Sequence, residues 1–274
     1  MDKEFLQLVM ESISKVPKAQ YLLLSSVHEL EAEYFKSLEA MFPFPVYTIG
    51  PSIPYLALED TKFTTSTENS HDHLKWLDSQ PSGSVLYIAF GSFLLVSEAQ
   101  MDEIVAALKI STGIRYFWVA REKTAWLKEK FGDNIHKGLV VPWWDQLKVL
   151  SHSSVAGFWS HCGWNSTMEA IFAGAPMLTF PIFYDQFPNS RKIVEDWENG
   201  WDVKRVEMGN EVVVTKEEIR KLLKRFMDFE SVEGKEVRER TKGLEDICHR
   251  AIAKGGTSDV NLDAFIKSIS SHYS

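Results

Sequence analysis

The chain has 274 residues, 45% hydrophobic and 25% charged, the balance of a folded globular protein and not of a disordered segment. Thirty basic against 38 acidic side chains give a net charge of -8 with no Lys/Arg block, which excludes the electrostatic footprint of a nucleic-acid binder. Cys162 and Cys248 are too few for a disulfide framework, no apolar run is long enough for a membrane span, and acidic residues interrupt the first apolar stretch, so a cytoplasmic protein with reduced thiols is expected.

Residues 4–15 carry apolar side chains at helical spacing (Phe5, Leu6, Leu8, Val9, Ile13), followed by short strands at Tyr21–Leu24 and Val46–Ile49 with a helix between them. Residues 59–73 are polar and poor in aliphatics, which reads as a linker or loop. From Val85 the pattern turns regular. Apolar runs at 85–90, 116–120, 139–142, 155–159 and 177–181 alternate with helical segments at 97–108, 145–151, 165–173 and 187–198, the first capped by Ser97. Such alternation predicts an α/β fold, a Rossmann-like doubly wound parallel sheet with helices on both faces. Charged helices at 216–227 and 235–253 follow, and after Gly255-Gly256 comes an amphipathic segment around Leu262, Phe265, Ile266 and Ile269.

In a doubly wound sheet, ligands bind beyond the carboxyl ends of the strands. Three polar segments fall there: Gly91-Ser92, then His161 through Thr167, then Tyr184-Asp185-Gln186. Gly163 lets a backbone approach a ligand closely, and a helix starting at Thr167 behind Asn165 and Ser166 offers either an ordinary cap or an anion site; both readings stand on this segment alone. His161 can donate a hydrogen bond to phosphate, and no CxxC or HxxxH spacing supports a metal. Glu169 can accept from a vicinal diol, Asp185 with Gln186 suits sugar hydroxyls, and Trp143 and Trp164 offer flat faces to a base or a sugar ring. The Gly91-Ser92 turn does not continue into G-x-G-x-x-G, so a nicotinamide or flavin enzyme is not expected.

The gap-free stretch from Trp143 to Gln186, with Trp at its start, HCGWNS in its middle and Asp-Gln at its end, resembles the signature box of plant family 1 UDP-glycosyltransferases. WLDSQPSGSVLYIAFGS ahead of it and KGGTSDVNLDAFI behind it agree. The resemblance implies a GT-B type fold: 1–50 as the remnant of an N-terminal acceptor-binding domain, 51–82 as interdomain linker, 83–256 as the complete UDP-sugar-binding domain, and 257–274 as a helix packing toward the N-terminal domain. It implies that Trp143 stacks on uracil with Gln146 close by and that Glu169 holds the ribose. It further implies that Ser92, His161, Asn165 and Ser166 bind diphosphate with the helix-start amides around Gly163, and that Trp164, Asp185 and Gln186 contact the sugar.

The implied reaction is inverting O-glucosylation of a small acceptor (a phenolic, flavonoid or hormone) from the co-substrate UDP-glucose, with no cofactor and no metal. A terminal Gln such as Gln186 goes with glucose preference in that family. Asp145, Tyr184 and Phe180 depart from the family's usual Pro, small residue and Trp. No histidine matches the family's general base, so a truncated chain with no catalytic residue of its own, weakly active or inactive by itself, is expected. A non-catalytic UDP-sugar-binding fragment or regulatory partner is the second reading, and exposed apolar surface left without the remaining domain would favour association.

Overall fold

The computed structural model describes residues 3–54, 68–91, 96–132, 137–203 and 213–270. The chain divides into two compact units, Met1–Ile53 with Asp246–Ser274, and Pro54–Glu245.

The first unit contains α1 (Lys3–Lys15), β1 (Leu22–Leu24), α2 (Ala32–Met41), β2 (Val46–Thr48) and α11 (Thr257–Ser270). The two strands pair in parallel, Leu22 opposite Val46. Helix α11 is tied to β2 by Asn261, whose amide nitrogen donates to the Thr48 carbonyl (3.0 Å) and hydroxyl (2.8 Å), and its Phe265 ring lies 5.9 Å from that of Tyr47. Unpaired polar atoms next to a strand are costly when buried, so this side-chain bridge suits the half-buried position of Asn261.

The second unit is built on a six-stranded sheet, all strands parallel, in the order β5-β4-β3-β6-β7-β8. The strands are β3 (Val85–Ala89), β4 (Arg115–Val119), β5 (Gly138–Val141), β6 (Val155–Ser160), β7 (Met177–Thr179) and β8 (Gly200–Asp202). All five residues of β3 are buried, as a central strand covered on both faces requires. Alternate side chains feed two cores. Leu86, Ile88, Tyr116 and Trp118 pack with α4 (Glu98–Ile110), α5 (Thr124–Phe131) and α9 (Lys216–Phe226). On the opposite face, Val85, Tyr87, Phe117 and Phe158 pack with α3 (Glu68–Asp78), α6 (Gln146–Leu150) and α7 (Trp164–Phe172). Helix α8 (Gln186–Arg191) runs into a π-helical turn, Lys192–Asp196, and α10 spans Val232–Ile252.

Ser97 caps α4, its side chain accepting from the Gln100 N–H. Other expectations are corrected. Residues 68–73 of the expected linker are the start of α3, because Leu77, fully buried, and Leu74 anchor that polar segment to the sheet; 59–67 lie outside the described residues. The division between the two units at Glu245/Asp246 lies within α10. Strand β8 and helix α5 were not anticipated. No helix among the described residues is long and apolar enough to cross a membrane.

Candidate functional site

The strand order reverses between β3 and β6: β4 and β5 lie on one side of β3, and the chain returns to place β6 on the other. A doubly wound sheet opens a crevice at such a point. Here it is a cavity of about 450 Å³ whose walls come from the residues just past β3, β4, β5 and β6. Of the expected site residues, Trp143, Gln146, His161, Asn165, Ser166 and Glu169 line it. Ser92 lies outside the described residues.

His161 follows β6, and glycines make room for its ring. A β-carbon on Gly91 would stand 2.7 Å from Nε2, and one on Gly163 would stand 2.6 Å from the same atom. Gly91 also has a φ of 77°, which residues with a β-carbon rarely adopt. Burial, the largest influence, holds the imidazole below its ordinary pKa; the Ala89 backbone and the Asp185 carboxylate pull the other way. Its Nδ1 is buried and makes no well-formed hydrogen bond among the described residues.

Helix α7 begins at Trp164 with Gly163 in the capping position and no side-chain cap. This corrects the expectation that Asn165 or Ser166 caps a helix starting at Thr167: both lie inside its first turn. The first backbone bond runs from the Thr167 N–H to the Gly163 carbonyl (2.9 Å), so the N–H groups of Asn165 and Ser166 precede it. Uncapped helix-start amides carry a partial positive charge, which suits an anion. Glycine is the residue that leaves them uncapped while giving His161 its space.

Gln146 organises the opposite wall. Its amide nitrogen donates to the Ser166 hydroxyl (2.9 Å) and, in a short bond, to Glu169 Oε2, while its oxygen accepts from the Tyr87 hydroxyl (3.3 Å). Burial, then the carboxylates of Glu169 and Asp145, push the Tyr87 phenol far above its ordinary pKa, so it stays a donor and fixes which way the Gln146 amide faces. Burial likewise raises the pKa of Glu169, against the Gln146 amide, which lowers it. Asp145, where the signature box usually has Pro, caps α6 by accepting from the Lys148 N–H (3.2 Å). Trp143 stands in the cavity wall, 54% exposed, a large flat apolar face open to solvent.

Gly163, Trp164, Asp185 and Gln186 are not among the residues walling this cavity. The Trp164 ring packs 6.2 Å from that of Trp197, next to the π-helical turn. Gln186 is 5% exposed, and its Oε1 accepts from the N–H groups of Ile182 (2.8 Å) and Phe183 (3.1 Å), leaving its NH₂ group for other partners. Asp185 is exposed and accepts from the Asn189 amide (3.2 Å), which also donates to the Cys162 carbonyl (3.0 Å) and so ties the His161–Gly163 turn to α8. Phe180 is a core residue, its ring 5.5 Å from Phe90. Sequence reasoning missed Tyr87, Trp144 and Arg121 in the cavity wall. Tyr87 sits in an apolar run that looks like pure core, and Trp144 lies just past the run 139–142. Arg121 lies just beyond β4, and the rule of inspecting strand ends would have found it. Among the described residues no three His, Cys, Asp or Glu side chains come together as a metal site.

Residues 7–231 match the family described as "UDP-glucoronosyl and UDP-glucosyl transferase". The chain is 50% identical over 260 residues to UDP-glycosyltransferase 87A1 of Arabidopsis thaliana, covering 94% of this chain and 57% of that protein. It is 47% identical over 255 residues to UDP-glycosyltransferase 87A2 of the same plant, covering 93% and 54%. The chain thus spans a little over half the length of these relatives. Among solved structures, UGT73P12 of Glycyrrhiza uralensis, complexed with glycyrrhetinic acid 3-O-monoglucuronide, is similar with a TM-score of 0.86 and 28% identity, covering 99% of this chain and 58% of that one. UGT2 of Phytolacca americana, complexed with UDP-2fluoro-glucose and pterostilbene, gives 0.79 and 32%, covering 97% and 57%. The turn at His161, the uncapped helix behind it and the Gln146–Glu169 pair therefore sit in a GT-B fold, and the chain belongs to the UDP-glucuronosyl and UDP-glucosyl transferase family, with the plant family 1 UDP-glycosyltransferases.

Proposed function

We propose that the cavity holds the UDP portion of a UDP-sugar, and that these 274 residues are the donor-binding part of an inverting, UDP-glucose-dependent O-glycosyltransferase for small-molecule acceptors. One observation carries the reading: the start of α7, left without a side-chain cap, faces a cavity that also presents His161, the Gln146–Glu169 pair and the exposed face of Trp143. The helix-start amides and His161 suit a diphosphate, Glu169 a ribose diol, and the indole a uracil. Ser92 completes the diphosphate set in this reading. The sugar then extends toward Trp164, Asp185 and the free NH₂ group of Gln186, the terminal Gln favouring glucose.

As the glycosidic bond breaks, negative charge grows on the departing diphosphate. Fixed N–H dipoles at the α7 start stabilise that charge more than they stabilise the ground state, which is how they would contribute to rate. Deprotonation of the acceptor needs a base, and we assign none to this chain, so these residues alone are expected to bind donor and transfer little. Cys162 and Cys248, both buried and in no disulfide, fit a reducing compartment such as the cytoplasm.

The test is calorimetry of the folded chain with UDP, UDP-glucose and UDP-galactose, followed by an assay of glucose transfer to phenols and carboxylic acids. Saturable binding with UDP-glucose preferred over UDP-galactose, and transfer near background, is the expected result. No heat with any uridine nucleotide would sink the donor reading, and turnover well above background would refute the assignment of no base.

A further inference from the structure

We propose that Arg121 supplies the fixed positive charge that admits a nucleoside diphosphate into a cavity otherwise walled by the carboxylates of Asp145 and Glu169; this rests on the donor reading above. Four residues other than glycine have a positive φ among the described residues: Arg121 (46°), Cys162 (66°), Tyr184 (50°) and Glu198 (48°). Three of them, Arg121, Cys162 and Tyr184, follow β4, β6 and β7 at the edge of the sheet where the cavity opens. A β-carbon disfavours this backbone, and residues held there without a local reason mark functional edges. Cys162 has a local reason: its N–H is held by the Ser160 hydroxyl (3.1 Å) and its carbonyl by Asn189. Arg121 opens a short helical turn, its carbonyl accepting from the Thr124 hydroxyl (2.6 Å) and the Thr124 N–H, and those bonds need no arginine side chain.

The charge inventory of the cavity points the same way. Its acidic wall residues are Asp145 and Glu169. Asp145 has a distant partner in Lys148, 3.9 Å away, and Glu169 is satisfied by the neutral Gln146 amide. Burial keeps His161 below its ordinary pKa and therefore neutral at pH 7. Arg121 is the one wall residue with a permanent positive charge, and no carboxylate of the described residues forms an ion pair with it. A polyanion entering past two carboxylates is repelled unless a cation offsets them, and a guanidinium cannot lose its proton to avoid the task. Its charge already reaches into the wall, where it opposes the upward shift of the Tyr87 phenol. Arg121 would thus set how strongly the cavity discriminates a charged nucleotide from an uncharged nucleoside.

The experiment compares UDP and uridine binding by calorimetry at two salt concentrations for the unaltered chain, R121K, R121Q and R121G, with thermal melts of each. Expected is a loss of UDP affinity of about tenfold in R121Q and R121G, a retained affinity within about threefold in R121K, and uridine affinity within about twofold throughout. The salt dependence of UDP binding should weaken in R121Q. R121G should melt no lower than the unaltered chain, because glycine accepts a φ of 46° without strain. UDP affinity unchanged in R121Q and R121G, while the unaltered chain binds UDP, overturns this inference alone. An equal loss for uridine would put the guanidinium on the base and overturn the charge role. Failure of the unaltered chain to bind UDP overturns the donor reading and this inference with it.

Discussion

His161 and Gly163 occupy each other's space: the imidazole Nε2 stands 2.6 Å from where a β-carbon on Gly163 would be. The backbone of Gly163 (φ -61°, ψ 140°) is open to any residue, so glycine is required there by the ring and not by the chain. Gly163→Ala should therefore displace the imidazole, costing about 1–3 kcal/mol as overpacking does. UDP affinity should fall by about tenfold or more as the donor set loses its geometry. Removing the ring should relieve the clash: in His161→Ala/Gly163→Ala the stability loss should be smaller than the sum of the single losses by about 1 kcal/mol. Thermal or denaturant melts of the four proteins decide it, and strictly additive losses would show that ring and glycine do not meet.

That relationship was only half legible in the sequence. The order of short apolar runs and helices is written in hydrophobic patterning, and five of the six sheet strands follow from it. Gly200–Asp202, three residues behind a Glu-Asn pair, has no such pattern and becomes a strand only by pairing with β7. Helix α3 shows the same limit: its local composition is polar, and its helicity rests on Leu74 and Leu77 reaching the core. At the site, Asn165 and Ser166 look like caps because those residue types usually are, and local statistics cannot see that a neighbouring imidazole demands glycine directly before the helix. Six expected residues converge on the cavity wall. Arg121 could have been found by its place just beyond β4, but its role depends on the charges around it and not on its spacing.

At Glu169 function and stability oppose each other. Burial raises its pKa in the folded chain, so between the ordinary carboxylate value and the raised one the folded state binds the proton more tightly than the unfolded state. Stability falls as pH rises through that window and stays lowered at neutral pH. Glu169→Gln should therefore raise the melting temperature at pH 7 by about 2–4 °C, the response to roughly 1 kcal/mol in a chain of this size, and change little in acid where the carboxyl is protonated. The same substitution should weaken UDP binding by about tenfold, as the charge-assisted bonds to a diol are lost. A lower melting temperature at pH 7 would contradict the burial argument.

The depressed pKa of His161 makes a proton part of ligand binding. A diphosphate beside the ring favours the charged imidazolium and moves its pKa upward, so the complex takes up a proton that the free chain does not hold. Affinity for UDP should strengthen as pH falls from 8 toward 6.5. Calorimetry near pH 6.5 in buffers of different ionisation enthalpy should report net proton uptake in the unaltered chain and less in His161→Gln. Equal uptake in both proteins would assign the proton to the nucleotide and leave the imidazole neutral throughout.

Trp143 separates binding from folding most cleanly. Its indole is 54% exposed, so its removal takes little from the core, and Trp143→Ala should melt within about 2 °C of the unaltered chain, as exposed substitutions do. The exposed face is the one a uracil would cover, and stacking of one base on an aromatic ring contributes about 1–3 kcal/mol, or roughly 5- to 150-fold in affinity. The loss should be shared by UDP and uridine, because the ring meets the base and not the phosphates. Arg121 should behave in the opposite way, sensitive to the phosphates and indifferent to the base, so uridine and UDP titrations of the two variants map the two ends of the cavity. An unchanged uridine affinity in Trp143→Ala would remove the indole from the base site and leave its exposure unexplained.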